Sequence, residues 1–336
     1  MRVTIREVAY KAGVSPSTVS RALKGSHLIS QETKDKINRI SKELGYFPNE
    51  IARSLANKST QTVGLVLPAS AQDSFLNPFF TSFIQGVTRC LEERDYSLLL
   101  TSARNETDEL KRIMKMTNSR RVDGIILVAV REHDKNINYL MEGDIPFVVI
   151  GDPKEREKFL WVDNNNQKAM YQVVNSLIQS GCRKIAFLGG NQELTVTQRR
   201  LKGYTKALAK HNIEVRKELI MEVNLQETEG YIFTKELLSN HKSIDAIVTT
   251  DDLIAYGVIK AVRELKIRIP EDISITGFNN TILAQYLSPT LSSVEINSTE
   301  LGYKSTELLV RRIRKEQLEQ NYYVIKTDFI KRESCK

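Results

Sequence analysis

The chain has 336 residues and a formal charge of +8, with 41% hydrophobic and 27% charged residues. At roughly 150 residues per domain, that length allows two or three units with a sizeable core. No apolar run nears the roughly 20 residues that span a bilayer, and the longest, Ile125 to Val130, is strand-sized. The opening MRVTIREVAYKAG carries charges every few residues and has no apolar segment, which argues against a secretory signal. Cys90, Cys182 and Cys335 are too scattered for a disulfide framework and form no CxxC pair for zinc. They read as reduced thiols of a cytoplasmic protein without metal or cofactor.

The charge is uneven. Residues 1–60 hold 11 Lys and Arg against 5 Asp and Glu, a net of +6; the other 276 hold 38 against 36, a net of +2. A small basic module on a near-neutral body points to a polyanion, most simply nucleic acid.

The first elements are short helices. Thr4 can cap a helix from about Ile5 to Ala12, in which Ile5, Val8, Ala9 and Ala12 form an apolar stripe. Gly13 stops it, Ser15 caps the next, and Pro16 fits that helix's first position, which runs to about Leu23. Ser30 caps a third helix with Ile37, Ile40 and Leu44 on one face and Gly45 as its stop. A short helical stretch, 50–56, precedes a polar linker at 57–62.

From Thr62 the period changes. Strand-sized runs lie at 62–68, 96–100, 124–130, 146–151, 184–190, 246–252 and 273–280, with helical patterns between them, for example 79–94, 167–179, 200–210, 253–265 and 299–316. Continuous apolar strands alternating with helices predict parallel sheets covered on both faces. Two Rossmann-like subdomains or a barrel would both fit.

Residues 4–23, TIREVAYKAGVSPSTVSRAL, read as helix, tight turn, helix. A recognition helix needs short side chains that admit the backbone to the major groove, and donors for base edges and phosphates. Ser15, Ser17, Thr18, Ser20 and Arg21 supply them, and Arg21 can pair bidentately with guanine.

TIREVAYKAGVSPSTVSRALKG, then ISQETKDKI and ELGYFPNEIARSLA, resembles the DNA-binding headpiece of the lactose-repressor and galactose-repressor family of bacterial transcription regulators. The likeness continues to PEDISITGFNN at 271–280. It implies an all-α helix-turn-helix headpiece at 1–48 and a hinge helix and linker at 49–60. A periplasmic-binding-protein-like α/β core of two Rossmann-like subdomains follows at 61–336. The expected N-subdomain is 61–161 plus 291–321, and the C-subdomain 162–290 plus 322–336. It further implies homodimers on palindromic double-stranded operator DNA. Thr4, Ser15, Pro16, Ser17, Thr18, Ser20, Arg21 and His27 would serve the major groove. Leu55, with Ala52 beside it, would wedge into a minor-groove step, offsetting the unstacking by a closer fit to bent DNA. The stretch 50–56 is too short to be stable alone, so it should order only on DNA.

Nucleotide-binding and hydrolase motifs are absent: there is no GxxxxGK[ST], HExxH, GxSxG or strand-linked GxGxxG, and the four histidines are isolated. An enzyme is disfavoured. Ligands of open α/β sheets lie beyond the carboxyl ends of the strands. Those ends carry Asn77, Phe79 and Phe80; Trp161 and Asp163; a loop ending in Arg200; Asp251; and Asn279. Aromatic rings with planar polar groups suit a pyranose, although a nucleobase also stacks on aromatics. NPFF, WVDNNN, RLKGY and GFNN are similar to the maltose-operon repressors of Gram-positive bacteria within this family. That likeness implies a maltose-like effector bound by those residues. Departures are Asn280 where the subgroup usually has aspartate, Trp161 where it has tyrosine, and Cys182 where it has histidine. Within the family, a phosphocarrier protein as corepressor, or another sugar or a nucleobase as effector, are the alternatives.

Overall fold

The computed structural model describes residues 3–47, 59–68, 77–153 and 157–336. The chain divides into two compact units, Met1–Thr60 and Gln61–Lys336. The predicted hinge stretch, with Ala52 and Leu55, lies outside the described residues.

The first unit packs α1 (Ile5–Ala12), α2 (Pro16–Leu23) and α3 (Gln31–Leu44) around a small core. Val8, Ala9, Ala12, Ile37 and Ile40, which the helical spacing placed inward, fill it together with Val19 and Ala22 of α2. Gly13 and Gly45 close α1 and α3 at φ +70° and +64°, where a side chain would be strained.

The second unit contains, among its described residues, two six-stranded sheets rather than a barrel. In chain order its elements begin β1 (Thr62–Leu67), α4 (Pro78–Glu92), β2 (Ser97–Ser102), α5 (Glu106–Asn118), β3 (Gly124–Leu127), α6 (Lys135–Glu142), β4 (Phe147–Ile150) and β5 (Leu160–Asn164). The chain then passes through α7 (Asn166–Gln179), β6 (Ile185–Gly189), α8 (Thr195–Lys210), β7 (Ile220–Glu222), α9 (Glu227–Asn240), β8 (Ala246–Thr249), α10 (Asp252–Glu264) and β9 (Ser274–Asn279). It ends with β10 (Ser292–Glu295), α11 (Ser298–Ile313), β11 (Tyr322–Ile325) and β12 (Asp328–Ile330). The first sheet has the order β11-β5-β4-β3-β1-β2 and is parallel throughout. The second has the order β12-β10-β9-β8-β6-β7, with β12 alone antiparallel.

Helices cover both faces, so the central strands are buried on both sides and read as unbroken apolar runs. Helix pairs close the layers by glycine contacts. At Gly86 a Cβ would overlap the backbone of Thr299, and at Gly302 that of Phe83, so α4 and α11 meet backbone to backbone.

Two expectations shift. The chain crosses between sheets near 165, 296 and 326, a few residues beyond the expected 161/162, 290/291 and 321/322. Thus β10 belongs to the second sheet, whereas Asp163 and Tyr322–Ile325 belong to the first. The short segments SSVE and YYVI carry no local mark of which sheet they join; pairing with β9 and β5 decides it. The run 246–252 also splits: the strand stops at Thr249, and Asp252 already opens a helix.

Candidate functional site

In the headpiece the hydroxyls divide into two sets. The Thr4 amide donates to Glu7 Oε2 at 2.6 Å and its hydroxyl to the same oxygen at 2.9 Å. Those bonds, the backbone one foremost, hold the Glu7 carboxyl below its usual range. Ser15 Oγ accepts the Thr18 amide at 3.1 Å and shares bonds with the Ser17 and Thr18 hydroxyls at 2.7 and 2.9 Å. Thr4 and Ser15 therefore hold helix starts. Pro16, Ser17, Arg21 and His27 are exposed, and Thr18 and Ser20 are half-buried. Tyr10, 91% exposed on α1, is an aromatic on the polar side of the helical stripe that sequence reasoning passed over. The signal was there: Tyr10 falls outside the apolar positions 5, 8, 9 and 12.

In the core, the carboxyl ends of both sheets converge on a cavity of about 110 Å³. Asn77, Phe79, Phe80, Asp163, Arg200, Asp251 and Asn279, nominated from the sequence, all line it. Thr195, Asn166 and Leu225 line it too and were missed. The stretch Thr197–Arg200 is not a loop but the early part of α8, which begins at Thr195; the loop before it is shorter than the polar composition suggested.

Asn77 caps α4 through its Oδ1, which accepts the Phe79 amide at 3.0 Å, while its Nδ2 reaches across the cleft to Asp251 Oδ2 at 3.0 Å. Asn279 Nδ2 donates to the same oxygen at 2.8 Å, and Asp251 Oδ1 caps α10 by accepting the Leu253 amide at 2.8 Å. Asn279 holds φ +105°, a backbone strain that this bond sustains at the cavity wall. Two further contacts clasp the subdomains: the Thr195 amide donates to the Val130 carbonyl at 2.9 Å, and Arg199 pairs with Asp152 at 2.9 Å. The cleft is closed.

Arg200 is the cationic centre. Its Nε donates to Asn166 Oδ1 at 2.9 Å, its Nη1 to the Thr250 carbonyl, and its guanidinium lies 3.6 Å from the Phe278 ring centre. Burial pulls its pKa down to about 10, against the pull of Asp251, Asp163 and Asp252, so it stays charged at neutral pH. Burial likewise pushes Asp163 up to about 7 and raises Asp251. Asp163 Oδ1 accepts Asn166 Nδ2 at 2.9 Å, but its Oδ2 has no partner among the described residues, nor has the Thr195 hydroxyl. Both atoms are buried, and an unmade bond there costs about 1–3 kcal/mol. Phe79 and Phe80, 5.0 Å apart and nearly perpendicular, form the opposing aromatic wall.

Three residues at or beside the strand ends do not line the cavity. Trp161 does not line the cleft cavity. It is 3% exposed, stacks on Tyr322 at 4.8 Å and belongs to the apolar layer with Phe147 and Phe159. Asp252 binds the Thr281 amide and the Ser293 hydroxyl, each at 2.6 Å, and ties β9 and β10 to α10. Asn280 is held by Glu295 and Arg332 at 2.8 and 2.7 Å.

Residues 4–49 match the family model described as bacterial regulatory proteins, lacI family, and residues 174–335 match a periplasmic binding protein-like domain. The chain is 37% identical over 316 residues, 93% of either chain, to the HTH-type transcriptional regulator MalR of Streptococcus pneumoniae. It is 32% identical over 335 residues to the HTH-type transcriptional regulator CelR of Thermobifida fusca, covering 99% of this chain and 98% of that one. A solved CelR–cellobiose complex has a TM-score of 0.77 at 31% identity, covering 99% of this chain and all of that one. A basic helix-turn-helix unit followed by a closed two-sheet binding core is the class these features define. The chain belongs to the lacI family of bacterial regulatory proteins, and is a DNA-binding transcriptional repressor of that family.

Proposed function

We propose that this repressor governs carbohydrate-use genes in the cytoplasm, as a homodimer whose operator affinity is set by a small maltose-like sugar in the cleft. The observation that carries the reading is the cavity: aromatic Phe79 and Phe80 face buried, planar polar groups, and two buried oxygens wait for donors or acceptors. A pyranose offers C–H faces to the rings and hydroxyls to Asp163, Arg200 and Asn279. The similarity to MalR supports the maltose-like class. In the headpiece, Ser17, Arg21 and His27 would meet operator DNA, with Thr4 and Ser15 holding the helices that present them. Ala52 and Leu55 would enter the minor groove. The exposed apolar cluster of Ile282, Leu283 and Tyr286 supports self-association.

At about 110 Å³ the cavity is below the roughly 300 Å³ of common ligand sites, so a disaccharide must enter with the clasp open. A sugar that prefers one arrangement of the subdomains shifts operator affinity by that preference, about 5–150-fold. Anisotropy of a labelled operator, with and without maltose, glucose, cellobiose and a nucleobase, tests this. A shift with maltose of that size is expected. A response to the nucleobase alone replaces the sugar; a response to a phosphocarrier protein and no small molecule replaces the effector with a corepressor.

A further inference from the structure

We propose that a second pocket beside the cleft is a subsite for a further pyranose ring, so that the core measures the chain length of its saccharide. The pocket has a volume of about 520 Å³ and abuts the cleft cavity, the two sharing Asp163, Asn164 and Asn166. The inference rests on the sugar reading of the cleft and adds to it where the chain continues.

Three observations carry it. The cavity is too small for two rings, whereas the neighbouring pocket is nearly five times larger. Asp163 lines both spaces and is 5% exposed, and its Oδ2, an acceptor, has no partner among the described residues. Consecutive arginines on α8 serve the two sides: Arg200 lines the cavity and Arg199 the pocket, where its pair with Asp152 bridges the subdomains.

The chemistry of the pocket suits a sugar. Tyr322 lies on the edge strand β11, is 40% exposed, and rests one ring face on Trp161 at 4.8 Å and 7°. The stack below fixes the tyrosine's orientation, so its outer face is a ready platform for the C–H face of a pyranose. Gln167 and Arg199 are planar polar groups beside it, able to meet vicinal hydroxyls. The apolar layer explains why Trp161 is buried, but not why its partner ring is left open beside a polar pocket.

Trp161 is the sole tryptophan of the chain and so reports on this pocket. The test titrates the full-length protein with glucose, maltose and cellobiose, by calorimetry and by tryptophan emission. The panel is repeated for Tyr322→Ala and Tyr322→Phe, each first shown to melt as the native protein does. The expected result is a disaccharide that changes Trp161 emission and binds about tenfold more weakly to Tyr322→Ala, with affinity kept in Tyr322→Phe. Glucose should bind both variants alike and leave the emission unchanged. A disaccharide that binds wild type and Tyr322→Ala equally, without a change in emission, overturns the subsite and leaves the cleft reading intact. If no sugar binds the wild type by calorimetry, the cleft reading and the subsite fall together.

Discussion

In the headpiece, Arg21 and His27 lie in water, so each can be removed without disturbing a packed neighbour, and Ser17, also exposed, shares one hydroxyl bond with Ser15. In the cleft, Asp163, Arg200, Asp251 and Asn279 are between 3% and 7% exposed; Arg200, Asp251 and Asn279 are bonded to residues far away in the chain, and Asp163 to Asn166 at the start of the next helix. The difference teaches where recognition and stability are coupled. An exposed polar group interacts with water when its partner is absent; a buried one must be bonded internally or left wanting. The headpiece can therefore vary its contacts at little structural cost. The cleft cannot, because its cavity-lining groups also clasp the two sheets.

The largest expected effect comes from Arg200→Ala. It strips Asn166 and the Thr250 carbonyl of their donor and leaves Asp163 and Asp251 without their nearby cation. Breaking a buried charge network of this kind costs about 3–5 kcal/mol. Urea unfolding should show that loss, together with loss of any sugar response; a variant as stable as wild type would break the contrast.

Asp163→Asn tests the same contrast through pH. The native carboxyl titrates near 7 and the unfolded one near 3.8, so the native state holds an extra proton between those values. Its contribution to stability is full below pH 4 and is lost as pH rises through 7. The asparagine does not titrate, so the variant should gain on wild type between pH 4 and 8, by at most about 4 kcal/mol. A stability difference that stays flat with pH sinks the idea.

Arg21→Ala should cost about 1–3 kcal/mol of discrimination between an operator and its base-substituted copy, with an unchanged melting temperature. If both operators weaken equally, Arg21 touches phosphate. The smallest effect sharpens the comparison from within the headpiece. Ser15 is exposed, yet its hydroxyl caps α2. Ser15→Ala should lower amide-exchange protection in the first turn of α2 by about 1 kcal/mol. No change in protection would return Ser15 to the contact surface.

Much of this was legible because it is local. Gly13, Ser15 and Pro16 delimit α2 through backbone conformation and one cap bond, which neighbours in the chain suffice to define. The residues after each strand could be nominated for the cleft because parallel sheets bind beyond their carboxyl ends. Trp161 shows the limit. It stands two residues before Asp163 on the same strand, yet the pairing of β5 with β11 brings Tyr322 onto its ring and takes it out of the cleft. Asp251 and Asp252 are adjacent, but only the first meets the cavity; the second is turned toward β9 and β10 by the start of the helix.

The sequence by itself determined the basic three-helix headpiece, the alternation of strands and helices, and the chemical character of the residues at the strand ends. Periodicity, capping and charge act over a few residues, so a linear reading reaches them. Only the tertiary structure decided which sheet each short terminal strand joins, that the subdomains close on a small cavity, and that Asp163 Oδ2 has no partner among the described residues. Those outcomes depend on pairing between separate segments, some of them more than a hundred residues apart, where strand pairing and burial, rather than local preference, set the energy.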